Sequence, residues 1–146
     1  MEIYLVQAQF QSYDSYYEQI VGVFDNEELA EFHKEKWLTF FKTKHQEIFD
    51  PFLELRDEDG DWISDEVEND YYKKQSECSL IYEFSNVVIR QIVGLWHTYA
   101  FLKLLDTPIN EDWLNMDYFR TEKQYDMMKQ FSIEYNREHN LNKLIS

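Results

Sequence analysis

The sequence predicts an α+β fold: a small antiparallel sheet built on an N-terminal β-hairpin, covered by a long amphipathic helix and completed by C-terminal helices. Three observations predict it. The first two dozen residues are β-formers in an alternating pattern, interrupted by one polar stretch. A helical apolar repeat follows, from Leu29 to Phe49. Aromatic residues are plentiful, with Phe 11, Tyr 11 and Trp 4, and each ring can bury on the order of 150–250 Å². A chain of 146 residues with that supply of rings can build a core without disulfides or metal, and a single domain spanning 1–146 is expected. Gly 3 and Pro 2 are too few for glycine-rich phosphate loops, collagen-like repeats or a turn-dense sandwich.

Each element has its own reason. Ile3, Leu5 and Gln7 point to one face of the first strand, and Tyr4, Val6, Ala8 and Phe10 to the other. A polar, tyrosine-rich connection over 11–16 leads to a second strand over 17–24. Asp25 or Asn26 then caps a helix from Glu27 to Ile48, with acids in its first turns and Lys34, Lys36, Lys42 and Lys44 later. Its apolar stripe is Leu29, Phe32, Trp37, Phe40, Phe41, Ile48 and Phe49, and Asp50-Pro51 ends it. Residues 79–84 and 86–93 read as strands, the second joining the hairpin in one sheet. Residues 95–105 fit strand or helix. Thr107-Pro108 ahead of Glu111-Asp112 predicts a helix with Pro108 in its first position. A last helix opens at Thr121, takes Gln124 as its capping-box partner, buries Tyr125, Met128, Phe131 and Tyr135, and ends near Asn140.

Charge narrows the choice of partner. The chain has 29 acidic and 14 basic side chains, a formal charge of −15. Such a surface repels nucleic-acid phosphates and anionic lipid heads, since binding either depends on lysine and arginine, so neither nucleic acid nor membrane is an expected partner; a basic protein surface is the natural counterpart. Ten of the acids fall within 50–70, against Arg56 alone. We single out Asp57, Glu58, Asp59, Asp61, Asp65, Glu66, Glu68 and Asp70 as charges able to imitate a row of phosphates, with Trp62, Tyr71 and Tyr72 as aromatic anchors. The plain alternative is a solvated acidic loop that keeps the protein soluble. A near match to a calcium loop places Asp57, Asp59, Asp61 and Glu66 at ligand positions around Gly60, but Leu55 stands where the first carboxylate belongs, and no metal or other cofactor is expected.

Other chemistry finds little support. Cys78 is the only cysteine, which fits a reducing, cytoplasmic setting. The N-terminal residues lack a basic leader, and the longest uncharged run, 91–102, is too short for a membrane span. His33, His45, His97 and His139 are scattered, and His97, among Trp96, Thr98 and Tyr99, reads as a hydrogen-bonded core histidine. The lysines of the first helix, with His33 and His45, read as a solvated helix face. No Gly-x-Ser-x-Gly turn, Walker loop or His-Glu-x-x-His helix is present, and no catalytic residue is assigned.

Ile3-Tyr4-Leu5-Val6 and the run from Ile20 to Ala30, with Gly22-Val23-Phe24 leading into the helix, resemble the opening of small uncharacterised bacterial and phage proteins. The resemblance covers the first 45 residues and one later strand. It implies an α+β fold and a mobile-element origin, and it transfers no catalytic residue. The expectation is a non-enzymatic, phage-encoded protein that blocks a basic, nucleic-acid-handling host protein. The alternatives are an immunity protein or antitoxin for a basic toxin, and a nucleotide sponge or minor hydrolase with an aromatic pocket.

Overall fold

A computed structural model describes residues 2–139. The hairpin forms as the alternation requires: β1 (Glu2–Gln11) pairs antiparallel with β2 (Tyr16–Phe24). Gly22 lies opposite Val6, next to an irregularity in register, and a Cβ there would come 2.6 Å from the Phe24 ring. Glycine is therefore what lets Phe24 fold back against its own strand.

Helix α1 (Glu27–Phe49) starts where Asn26 Oδ1 accepts from the Leu29 amide at 3.0 Å, which settles the cap between the two candidates. Its buried residues are Ala30, His33, Trp37, Phe40, Phe41 and Phe49. Phe32, expected in the stripe, is half exposed beneath the Lys36 ammonium. His33 takes the inward position instead, because the three- and four-residue steps from Ala30 to His33 to Trp37 define the inward face. Asp50-Pro51 does not terminate the chain's winding: a 3-10 helix, Asp50–Leu55, continues directly from α1.

The acidic stretch leads into α2 (Asp65–Glu77), capped by Ser64 Oγ. Of residues 79–84, expected as a strand, only Phe84 lies in one. Ser79–Glu83 form a short helix, α3, which turns Leu80 and Ile81 into the core; a five-residue apolar run suits either conformation, and packing decides. Strand β3 (Phe84–Val93) then lies antiparallel along the free side of β1, giving the order β2-β1-β3.

The ambiguous 95–105 segment is helical: α4 (Leu95–Tyr99), then a 3-10 turn over Leu102–Leu104. Pro108 starts no helix. Asn110 caps a three-residue 3-10 turn, Glu111–Trp113, and Asn115 a second, Met116–Tyr118. Helix α5 (Glu122–His139) begins after Thr121, whose Oγ1 accepts from the Gln124 amide. The Gln124 side chain reaches back one residue farther than a capping box, to the Arg120 amide. Met128, Phe131 and Tyr135 are buried as expected, and Tyr125 partly so; the expected end at Asn140 lies outside the described residues.

The two faces of the sheet carry two cores. Val6, Ala8 and Phe10 join α1, α3 and α5 in a large aromatic cluster. Ile3, Leu5 and Val23 meet Phe101, Leu102, Leu104, Leu105 and Trp113 on the other side. This is the division that the strand alternation predicts. Among the described residues no helix is long and apolar enough to cross a membrane.

Candidate partner-binding site

The stretch with the densest charge is folded. Arg56 and Trp62 form an antiparallel bridge. The Asp57 amide donates to the Asp61 carbonyl at 2.7 Å, and Ile63 N–H to the Leu55 carbonyl at 3.0 Å, closing a small hairpin. Its turn is at Gly60, the only glycine within 50–70: Gly60 has φ of 84°, and Asp57 Oδ1 accepts from the amides of Asp59 and Asp61. These bonds tie Asp57 into the turn itself, and among the described residues no group of three acids, histidines or cysteines is placed to hold a metal ion. Asp65, Glu66, Glu68 and Asp70 are not in the loop but in the first turns of α2, where carboxylates suit the positive end of the helix dipole.

Aromatic rings fasten this hairpin to the body. The Trp62 ring lies 4.8 Å from Tyr71 and edge-on to Phe52, and Tyr71 packs against Phe49 at the end of α1. Arg56 stacks its guanidinium 3.9 Å over Trp62 and donates to the Gly60 carbonyl at 2.7 Å. The one cation of the stretch is thus spent on an internal contact. Trp62 and Tyr71 are half-buried here, so they hold the hairpin rather than stand free for a partner. Tyr72 is exposed, as are Asp57, Glu58, Asp59, Asp61, Asp65, Glu66 and Asp70, while Glu68 is half-buried. Three lysines of α1 are engaged elsewhere: Lys34 pairs with Glu31, Lys36 lies over the Phe32 ring, and Lys44 pairs with Glu134 of α5 at 2.7 Å.

Beside α2 lies a polar cleft of about 780 Å³, rimmed by Tyr13, Tyr72 and Tyr82 and floored by Glu83 and Arg120. Glu83 is buried, and its two oxygens are saturated: Oε1 accepts from Arg120 Nε and the Tyr17 hydroxyl, each at 3.1 Å, and Oε2 from Arg120 Nη2 and from Gln124 Nε2 at 3.0 Å. Gln124 completes the network by donating to Ser79 Oγ at 2.9 Å. Burial and the neighbouring carboxylate hold the Tyr17 phenol well above its ordinary range, and the Glu83 contact raises Arg120 further. This constellation escaped the sequence reading; its one signal was an acid, Glu83, inside the apolar run 80–84.

The histidine assignments are reversed. His97 is exposed, and His33 is the core histidine, stacked on Phe24 and hydrogen-bonded through Nδ1 to the Tyr135 hydroxyl. Burial, reinforced by His139, lowers the His33 pKa to about 4, which leaves it neutral at physiological pH. Burial pushes the Cys78 thiol up, away from the reactive thiolate.

Comparison with protein-family models, curated proteins and solved structures returned no match.

Proposed function

We propose that this chain is a non-enzymatic binding protein whose acidic hairpin, continued by the N-terminal turns of α2, receives a cationic protein surface of the kind that otherwise grips nucleic acid. The observation that carries the reading is that the most acidic stretch is folded and fastened at its base, with its carboxylates turned outward. A fixed array loses less conformational freedom on binding than a floppy tail, so more of its Coulombic attraction becomes affinity. A phage-encoded inhibitor of a host enzyme, and an antitoxin against a basic toxin, would both use this face. They differ in partner, not in mechanism.

The tyrosine-rimmed cleft supports the sponge or hydrolase reading less well. Arg120, its only cation, is engaged by Glu83, and Asp14 adds a second carboxylate to the lining. A phosphate would meet net negative charge there. The Glu83 oxygens already accept four hydrogen bonds, an arrangement suited to holding α3, β2 and α5 together.

The test uses the immobilised chain and bacterial proteins first retained on heparin. We expect captured protein to be released by duplex DNA and by moderate salt. Capture should be lost with Asp57→Asn/Asp59→Asn/Asp61→Asn and kept with Asp117→Asn/Glu122→Gln/Asp126→Asn, which removes the same charge elsewhere on the surface. Equal loss with both triple variants would reduce the binding to bulk charge and overturn the proposal.

A further inference from the structure

The two outer strands of the sheet are finished differently. On β2, the Val23 carbonyl accepts from Asp106 N–H at 2.8 Å, Gln19 Nε2 reaches the Trp113 carbonyl, and the strand's second half is largely buried. The edge is covered by the chain that returns after α4. On β3, no backbone or side-chain group of the described residues outside β1 hydrogen-bonds to the backbone of residues 85–93. The outward amides and carbonyls of residues 85–93 are therefore without a hydrogen-bond partner among the described residues. The strand also lacks the usual protections of such an edge: no proline, no lysine, and Arg90 as its only charge, already paired across the sheet with Glu18.

The surroundings of that edge are equally distinctive. In a chain with 29 acids, residues 84–105 contain none; Arg90 and Lys103 are their only fixed charges. At the end of β3 and directly after it the chain exposes Val93, Leu95 at 74%, Trp96 at 90% and Tyr99. Large exposed rings and aliphatic side chains side by side mark an interaction surface, and aromatic residues such as Trp and Tyr dominate interface energetics.

We propose that β3 pairs antiparallel with β3 of a second copy of this chain, extending the sheet to β2-β1-β3-β3-β1-β2, with Val93, Leu95, Trp96 and Tyr99 packing beside the new seam. Charge selects this occupant. Two copies at −15 each repel through most of their surface, and the acid-free run is where they can approach without opposing carboxylates. Symmetry agrees, since an antiparallel strand pair is compatible with a two-fold axis, which presents one patch to itself.

Light scattering or sedimentation over a range of concentrations provides the test, combined with hydrogen exchange resolved to single amides. The expected result is a mass of twice 18.0 kDa at high concentration, with the outward amides of β3 exchanging slowly there and rapidly on dilution. Val93→Glu/Trp96→Glu should weaken dimerisation by about tenfold or more while circular dichroism stays unchanged, and Leu53→Glu, at an exposed site in another part of the chain, should leave it intact. A monomer at every concentration, a dimer with unprotected β3 amides, or a dimer indifferent to Val93→Glu/Trp96→Glu would each overturn the proposal. Protection of β3 only on adding a different protein would also overturn it, in favour of strand addition from that partner. The wild-type exchange pattern needs no variant, so a misfolded variant does not shield the proposal.

Discussion

Trp37 and Trp62 belong to two regions built from the same residue types to different ends. Trp37 is wholly enclosed, stacked 3.9 Å from Tyr135 and flanked by Phe40 and Phe41. Trp62 is half-buried, with Tyr71 and Phe52 on one side and the Arg56 guanidinium on another. The first ring belongs to a core that links the sheet, α1 and α5; the second belongs to a clasp that holds an acidic hairpin at the end of α1. Burial excludes charge, so the core can hold carboxylates only when saturated, as at Glu83. The clasp places no such limit on the turn beyond it, and the charges accumulate there.

If the two regions are separately stabilised, damage to the core should be global and damage to the clasp local. Trp37→Ala should cost about 3–5 kcal/mol and abolish the cooperative unfolding transition at moderate denaturant. Arg120→Ala strands the Glu83 carboxylate with only neutral donors. It should cost about 2–4 kcal/mol, the lower end reflecting that Arg120 is partly exposed, as read from chemical denaturation.

His33 sharpens the same contrast through pH. Its folded pKa, about 4, lies below the ordinary 6.5, so the unfolded chain binds the proton first. The stabilisation is complete above about pH 6.5 and is lost as pH falls toward 4, a fall of roughly 2 kcal/mol once solvent screening is allowed for. Its ring resonances should titrate near pH 4. A midpoint near 6.5 would place the ring in water rather than against Phe24 and Tyr135.

Smaller effects are expected in the excursion. Trp62→Ala should lower global stability by only about 1 kcal/mol, yet speed amide exchange at Asp57 and Ile63 and weaken partner capture. Asp57→Asn/Asp59→Asn/Asp61→Asn should change stability by less than about 0.5 kcal/mol, because an asparagine oxygen at 57 can still accept the two turn amides. A large loss in melting temperature here would show that the carboxylates serve the fold.

The regular elements were legible in the sequence because their side chains repeat. The β1 alternation assigned both sheet faces, and the α5 stripe named Met128, Phe131 and Tyr135. Where the run was short, as at 79–84, periodicity could not separate strand from helix, and the demand to bury Leu80 and Ile81 while Glu83 met Arg120 decided. That pair spans 37 residues, a contact no local pattern encodes. His33 was within reach, since it stands between Ala30 and Trp37 at helical spacing, but its polarity hid it. Within the site, the charges were readable from composition. The use of Trp62 and Tyr71 as fasteners was not, because it depends on Phe49 and Phe52 arriving from the end of α1.

The folded state of the acidic hairpin is tested most directly by amide hydrogen exchange at Asp57, Gly60 and Ile63 in the isolated wild-type chain. Their hydrogen bonds to Asp61, Asp57 and Leu55 should make all three exchange more slowly than a free peptide, with that protection lost in Trp62→Ala. Exchange at free-peptide rates in the wild type would contradict a preformed acidic face.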